Sequence, residues 1–283
     1  ILAKQFVFEK DINKAIILSD NKKNLKYRFS FDMLGEAAIT DDHASKYYKQ
    51  YEEAIIACGN SNNPSEKSIS VKLSSLHPRY ERNQLDVLHK ELFPKTLELV
   101  KLARENKVDI CFDAEESDRL NLSFLIFKNI IDSNVIDSNY TGFGFAVQAY
   151  QKRAIFLLEW LNKYLPENNK KIKVRLVKGA YWDTEIKVSQ ESGYEDYPVF
   201  TKKFLTDISY LACAHKLVEN KYIYPQFATH NAHAIAYINT LFQNKEFEYQ
   251  KLHGMGDEIY SYFKNKDNFL CRVYAPVGEY NDL

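Results

Sequence analysis

Eight short apolar segments recur along this chain, with stretches of helical periodicity between them, and that alternation restricts the fold more than any other feature. The segments are 27–31, 68–73, 108–113, 144–148, 172–177, 224–229, 247–252 and 269–274. Several are near-continuous apolar runs, as in strands of a parallel sheet covered on both faces. In the second interval Leu85, Leu88, Leu92, Leu99 and Ala103 recur at helical spacing. They predict an inward-facing helix over 84–106 with a kink at Pro94. Repeated strand–helix alternation predicts an α/β fold whose parallel strands close into a (β/α)8 barrel of the TIM type. The 283 residues suit one such barrel, which needs roughly 250. A lead-in helix is expected over 1–26 and the barrel over 27–283. The segment 183–199 reads as irregular. Too few residues follow Tyr274 for a crossover helix, so the barrel is expected to be distorted, lacking its final helix and leaving one side of strand eight uncovered. With Ile1 in place of Met, this suggests a domain of a longer chain.

Lys and Arg total 38, as do Asp and Glu, which argues against the concentrated basic face of a nucleic-acid binder. No run of about 18 apolar residues is present to span a membrane, and no secretory signal opens the chain. Cys58 and Cys213 fall in helical stretches, Cys111 and Cys271 in strands, with no C-x-x-C pair. Reduced, buried thiols are expected, and no disulfide framework.

The strand ends carry the chemistry. Strand one leads into Asp32 and Glu36; strand two carries Lys72 and leads to His77; strand three ends at Asp113 and strand four at Gln148. Strand five gives Arg175 and Lys178, strand six Thr229-His230-Asn231, strand seven Leu252-His253, and strand eight Arg272 and Tyr274. In a barrel such residues converge on one face. Asp113 and Asn231 read equally well as helix N-caps, and His253 as a loop residue. Lys72, between Val71 and Leu73, needs a carboxylate or a ligand, and Asp113 is its natural partner. His77, His230, His253 and Asp113 leave a barrel metal site open. A Schiff base on Lys72 or Lys178 is open as well, provided burial lowers the pKa.

The densest strand end is Arg175-Leu-Val-Lys178-Gly179-Ala-Tyr181-Trp182-Asp183, two cations, a glycine and two aromatic rings in one strand-to-helix step. It suits an aromatic cofactor bearing phosphates: Gly179 permits close backbone approach, Lys178 supplies charge and Trp182 a stacking face. A helix beginning at Thr229-His230-Asn231 offers free N–H groups to a phosphate. The fingerprint G-x-G-x-x-G is absent, and Gly142-x-Gly144 precedes a strand, so a Rossmann fold is excluded.

Several blocks together resemble the proline dehydrogenase domain of the bacterial proline-utilisation flavoproteins. They are Phe31-Asp-Met-Leu-Gly-Glu-Ala-Ala38, Val71-Lys-Leu-Ser-Ser-Leu-His-Pro-Arg-Tyr80, Asp113-Ala-Glu-Glu116, Gln148-Ala-Tyr-Gln-Lys-Arg153, the strand-five segment, Tyr224-Pro-Gln-Phe-Ala-Thr-His-Asn-Ala-His233, Leu252-His-Gly-Met-Gly256 and Arg272-Val-Tyr-Ala-Pro-Val-Gly278. The resemblance implies an FAD-dependent enzyme that oxidises L-proline to 1-pyrroline-5-carboxylate and passes electrons to membrane quinone. It implies a cytoplasmic location with peripheral association at the inner membrane face, and further domains in the parent chain. Carried across residue by residue, Arg175 sits beside flavin N5 and Gln148 bonds the pyrimidine edge. Val177, Gly179 and Ala180 line the cofactor and Trp182 stacks on adenine. Thr201, Lys203, His230 and Asn231 hold phosphates and ribose. Lys72, Asp113, Tyr181, Leu252 and Tyr274 shape the proline pocket, making Arg175, Lys72 and Asp113 the expected catalytic group.

In the family a helix after strand eight carries a tyrosine and two arginines that clamp the proline carboxylate, one of them facing the residue at Glu36. Leu283 precedes that helix, so weak proline binding is an expectation for the chain as written. The alternatives are a barrel remnant without activity and a metal- or lysine-dependent barrel enzyme.

Overall fold

The computed structural model describes residues 3–21, 24, 26–243, 245–263 and 269–279. Its strands are β1 (Arg28–Met33), β2 (Lys67–Val71), β3 (Asp109–Phe112), β4 (Phe143–Gln148), β5 (Ile172–Val177), β6 (Ile223–Ala228), β7 (Glu248–Leu252) and β8 (Cys271–Val277). All pair in parallel in sequence order, and β8 pairs with β1 to close the barrel. Helices α1 (Ala3–Phe6) and α2 (Ile12–Ser19) precede β1. Outside the strands lie α3 (Asp41–Gly59), α4 (Leu85–Glu105), α5 (Leu120–Asp132), α6 (Ala154–Glu167), α7 (Trp182–Glu191), α8 (Lys203–Val218), α9 (Ala232–Leu241) and α10 (Asp257–Phe263).

The apolar residues alternate along the strands. Phe29, Phe31, Ile69, Val71, Ile110 and Phe112 join Leu88, Leu92, Leu99 and Ala103 of α4 in the layer between strands and helices. The intervening positions face the barrel lumen, which branched apolar side chains usually fill. Here Ser30, Ser70 and Arg175 meet across that lumen, and Arg272 meets Asp109 and Glu248 in a separate group, all buried. All four cysteines are free and buried, on α3, β3, α8 and β8 as expected.

Several local expectations need correction. Leu85, the first residue of α4, is exposed, and burial on that helix begins one turn later at Leu88. Of the segment 183–199, expected to be irregular, residues 183–191 belong to α7, which presents mainly polar side chains and buries only Glu185 and Ser189. The lead-in is two short helices instead of one, with Asp11 capping the second through Lys14 N–H. Its connecting segment runs beside β8, where Phe8 N–H donates to Pro276 O at 2.8 Å and Gly278 N–H to Glu9 O at 3.0 Å. The lead-in thus covers part of the strand expected to be bare. The expected lack of a final helix concerns the chain beyond residue 279 and lies outside the described residues.

Candidate active site

At the floor of the barrel, Arg272 is fully buried and every nitrogen is engaged. Its Nε donates to Glu248 Oε1 at 2.6 Å, Nη2 to Asp109 Oδ2 at 3.2 Å, and Nη1 to the carbonyls of Phe29 and Glu66 at 3.1 and 3.2 Å. Lys173 pairs with Asp109, and Arg28 with Glu248 at 3.1 Å. Arg272, expected at the strand-end ring with Tyr274, is therefore two residues too deep and belongs to this plug.

Above the plug a cavity of about 680 Å³ opens at the C-terminal ends of the strands. Fifteen of the expected residues line it: Lys72, Asp113, Gln148, Arg175, Val177, Lys178, Gly179, Ala180, Tyr181, Lys203, Thr229, His230, Asn231, Leu252 and Tyr274. Trp182 and Thr201 do not border it; both are exposed, and the indole N–H donates to Phe200 O at 3.0 Å. Asp32, Ala114, Ala146, Ala228, Gln250 and Lys251 complete the lining. Asp32 was expected in the strand-end ring; Gln250 and the lumen residues Ser30 and Ser70 were not, and their signal in the sequence is the alternation of polar with apolar residues along each strand.

Strand ends set the geometry. β2 stops at Val71, so Lys72 opens a 3₁₀ turn and its amine enters the cavity. The expected pair with Asp113 is present at 3.6 Å, and Asp32, at 2.7 Å, is a second and nearer partner. Asp113 caps no helix. It accepts from the Arg175 guanidinium and from the Tyr274 hydroxyl, the latter at 2.6 Å. Burial alone would lower the Lys72 pKa, but Tyr274, Asp32 and Asp113 together raise it well above the ordinary value. A Schiff-base lysine needs the opposite direction. Burial likewise works against the Arg175 charge, and Cys111, Asp113 and Tyr274 override it.

Arg175 is 3% exposed and reaches across the barrel. One nitrogen pairs with Asp113, and Nη2 donates to Ser70 at 2.9 Å and Ser30 at 3.2 Å. The ring of Tyr274 lies 5.2 Å from the guanidinium carbon. Among the described residues its buried Nε has no partner, a rare state for a buried donor.

The strand-five loop is held from inside. Ala180 N–H donates to Gln148 Oε1 at 3.1 Å and Gln148 Nε2 to Glu115 O at 2.7 Å, so this glutamine first shapes the loop. Gly179 has φ +144°, and a Cβ there would lie 2.4 Å from the Tyr150 ring. The glycine is required by its own backbone and by Tyr150. Gly179→Ala is expected to cost about 1–3 kcal/mol in backbone strain, read as a lower urea midpoint and faster proteolysis near 179–182. An unchanged midpoint would refute this.

Lys178 and Lys203 share Asp207, two cations on one carboxylate, which leaves one positive charge at this rim. Opposite, Asn231 caps α9, accepting from Ala234 N–H at 2.9 Å, and also lines the cavity. His230 Nε2 accepts from Leu252 N–H at 3.1 Å, which places its proton on Nδ1. Burial, helped by Lys251, lowers the His230 pKa. Gly256 makes room for this ring, since a Cβ there would lie 2.6 Å from it. His77 bonds Glu91 at 3.1 Å and His253 packs on Phe8, both away from the cavity. Among the described residues no group of three or more His, Cys, Asp or Glu is arranged to hold a metal.

A closed (β/α)8 barrel with a charge-lined cavity at its C-terminal mouth defines the class: an α/β-barrel protein with an enzyme-like site. Residues 17–283 match the family model described as proline dehydrogenase, and the chain belongs to that family. It is 42% identical to the bifunctional protein PutA of Klebsiella aerogenes and to that of Escherichia coli K12, each over 297 aligned residues and 100% of this chain. The chain spans 23% and 22% of the length of those relatives. Among solved structures, a mutant of proline utilization A from Bradyrhizobium japonicum aligns with TM-score 0.89 and 41% identity, over 100% of this chain and 30% of that one. Proline utilization A from Bdellovibrio bacteriovorus, inactivated by N-propargylglycine, aligns with TM-score 0.91 and 28% identity, over 98% and 31%.

Proposed function

We propose that this barrel is the FAD-dependent proline dehydrogenase domain of a longer protein and oxidises L-proline to 1-pyrroline-5-carboxylate. The observation that carries the reading is Arg175, a buried cation lining the cavity with its guanidinium fixed by Asp113, Ser30 and Ser70, in a chain of the proline dehydrogenase family. The residues fit the cofactor. Lys178, Lys203 and the N-terminus of α9 at Thr229, His230 and Asn231 suit a diphosphate. Val177, Gly179, Ala180 and Gln148 suit one edge of a planar ring. Trp182 and Thr201 belong to the outer, adenosine end of the same assignment, beyond the cavity rim.

When bound, FAD supplies the acceptor for the hydride released as the ring C–H next to nitrogen breaks, while the nitrogen loses a proton and forms a C=N bond. The chain's residues orient the reactants and place charge. Arg175 holds a fixed positive charge where negative charge develops. Lys72, protonated between Asp32 and Asp113, acts as a cation and not as a base. Tyr181, Leu252 and Tyr274 wall the substrate space. Electrons then pass to a quinone, with the domain cytoplasmic or peripheral at the inner membrane face. Among the described residues no helix is long and apolar enough to cross a membrane.

The test is the visible spectrum of the purified protein. Stoichiometric flavin absorbance, bleached by L-proline without oxygen, is the expected result. Colourless protein that takes up no added FAD, or flavin that proline leaves oxidised, would refute the reading.

A further inference from the structure

We propose that Ser30 and Ser70 are positioning residues for Arg175: a hydroxyl pair that fixes the orientation of its guanidinium at the base of the ligand cavity. The inference rests on the flavoenzyme reading above and adds two residues outside the cavity lining. Arg175 leaves β5 and crosses the lumen to β1 and β2, where its Nη2 meets both hydroxyls, at 2.9 and 3.2 Å. The two serine oxygens lie 2.9 Å apart, so they also bond each other. Both serines are fully buried. With Nη1 on Asp113 and Tyr274 against the guanidinium face, the serine pair is what stops rotation about the Asp113 contact. A guanidinium presents its donors in a rigid plane, so fixing Nη1 and Nη2 fixes the direction of Nε.

Residue size matters as much as the hydroxyl. Serine is small enough for a long side chain from the far strand to come to rest on it, and polar enough to accept from that side chain without water. Alanine keeps the space and removes the acceptor. Threonine keeps the acceptor. That difference separates orientation from packing.

The experiment uses the FAD-loaded chain with Ser30→Ala, Ser70→Ala, the double alanine variant and Ser70→Thr. Flavin content, flavin midpoint potential, and kcat and KM for L-proline are measured for each. A tilted guanidinium stabilises reduced flavin less, so the potential of the double variant should move negative. Its kcat should fall about tenfold with KM within about twofold, and Ser70→Thr should retain most of both properties that Ser70→Ala loses. If the double variant does not fold, the Ser70→Ala and Ser70→Thr pair carries the same comparison. A double variant with wild-type potential and kcat overturns the proposal, as does equal loss in Ser70→Thr and Ser70→Ala. A wild-type chain that takes up no flavin overturns the flavoenzyme reading and this proposal with it. One that proline bleaches while the variants remain unchanged overturns this proposal alone.

Discussion

Arg175→Ala should retain FAD yet turn proline over about a hundredfold more slowly or worse, the usual cost of removing a preorganised donor at a reacting centre. The loss should fall on kcat more than on KM, because the charge matters most as negative charge develops. Arg175→Lys should rescue little. A lysine has one ammonium point charge and cannot bridge Asp113 and the serine pair with donors spread over a rigid plane. Steady-state turnover with an artificial electron acceptor, alongside flavin content from absorbance, measures the effect. Turnover within about twofold of wild type, with normal flavin content, would remove Arg175 from the reaction.

The largest stability effect is expected at the floor. Glu248 is completely buried and meets Arg272, Arg28 and the Gln226 amide, the last at 2.7 Å. Glu248→Ala strands the Arg272 charge and should destabilise the barrel by about 3–5 kcal/mol, read from urea unfolding. Burial by itself would raise the Glu248 carboxyl, but Arg272, with Lys173 and Arg28, lowers it from 4.5 to about 2. The folded pKa lies below the unfolded one. The carboxylate therefore contributes its full stability above about pH 4.5, and that contribution fades as pH falls towards 2. The coupling amounts to roughly 3 kcal/mol. Glu248→Gln should flatten the acid limb of the stability curve across that window. Parallel acid limbs for wild type and variant would show that the floor pair is not what acid disrupts.

How much of this was legible in the sequence depends on which interactions are local. The eight strands were visible because each is a short apolar run between helical stretches, and β5 falls on 172–177 as expected. The lumen was harder to see. In Arg28-Phe-Ser-Phe-Asp32 and Lys67-Ser-Ile-Ser-Val71 the polar members look like interruptions, and only the closed ring turns them into a face. The partners of Lys72 depend on which neighbouring strand ends come near, so Asp32 on β1 joins the expected Asp113 and lies closer. Residues 183–191, within the segment 183–199, looked irregular because α7 buries only two polar side chains and lacks an apolar stripe. Glu185 holds that helix through both carboxylate oxygens, each 2.6 Å from Ser117, a long-range bond that no periodicity announces.

The polar lumen also bears on how the chain reaches its final shape. An open, half-assembled sheet would present a wettable inner wall, while each helix hides the greasy outer wall as its strand–helix unit forms. What such a species leaves open to other chains is its two unpaired strand edges, not its inner wall. The bonds from β5 to β1 and β2, and from β8 to β3, form only when the ring is whole. Closure is therefore the step at which the inner charges find one another, and a slipped strand would leave them unmatched.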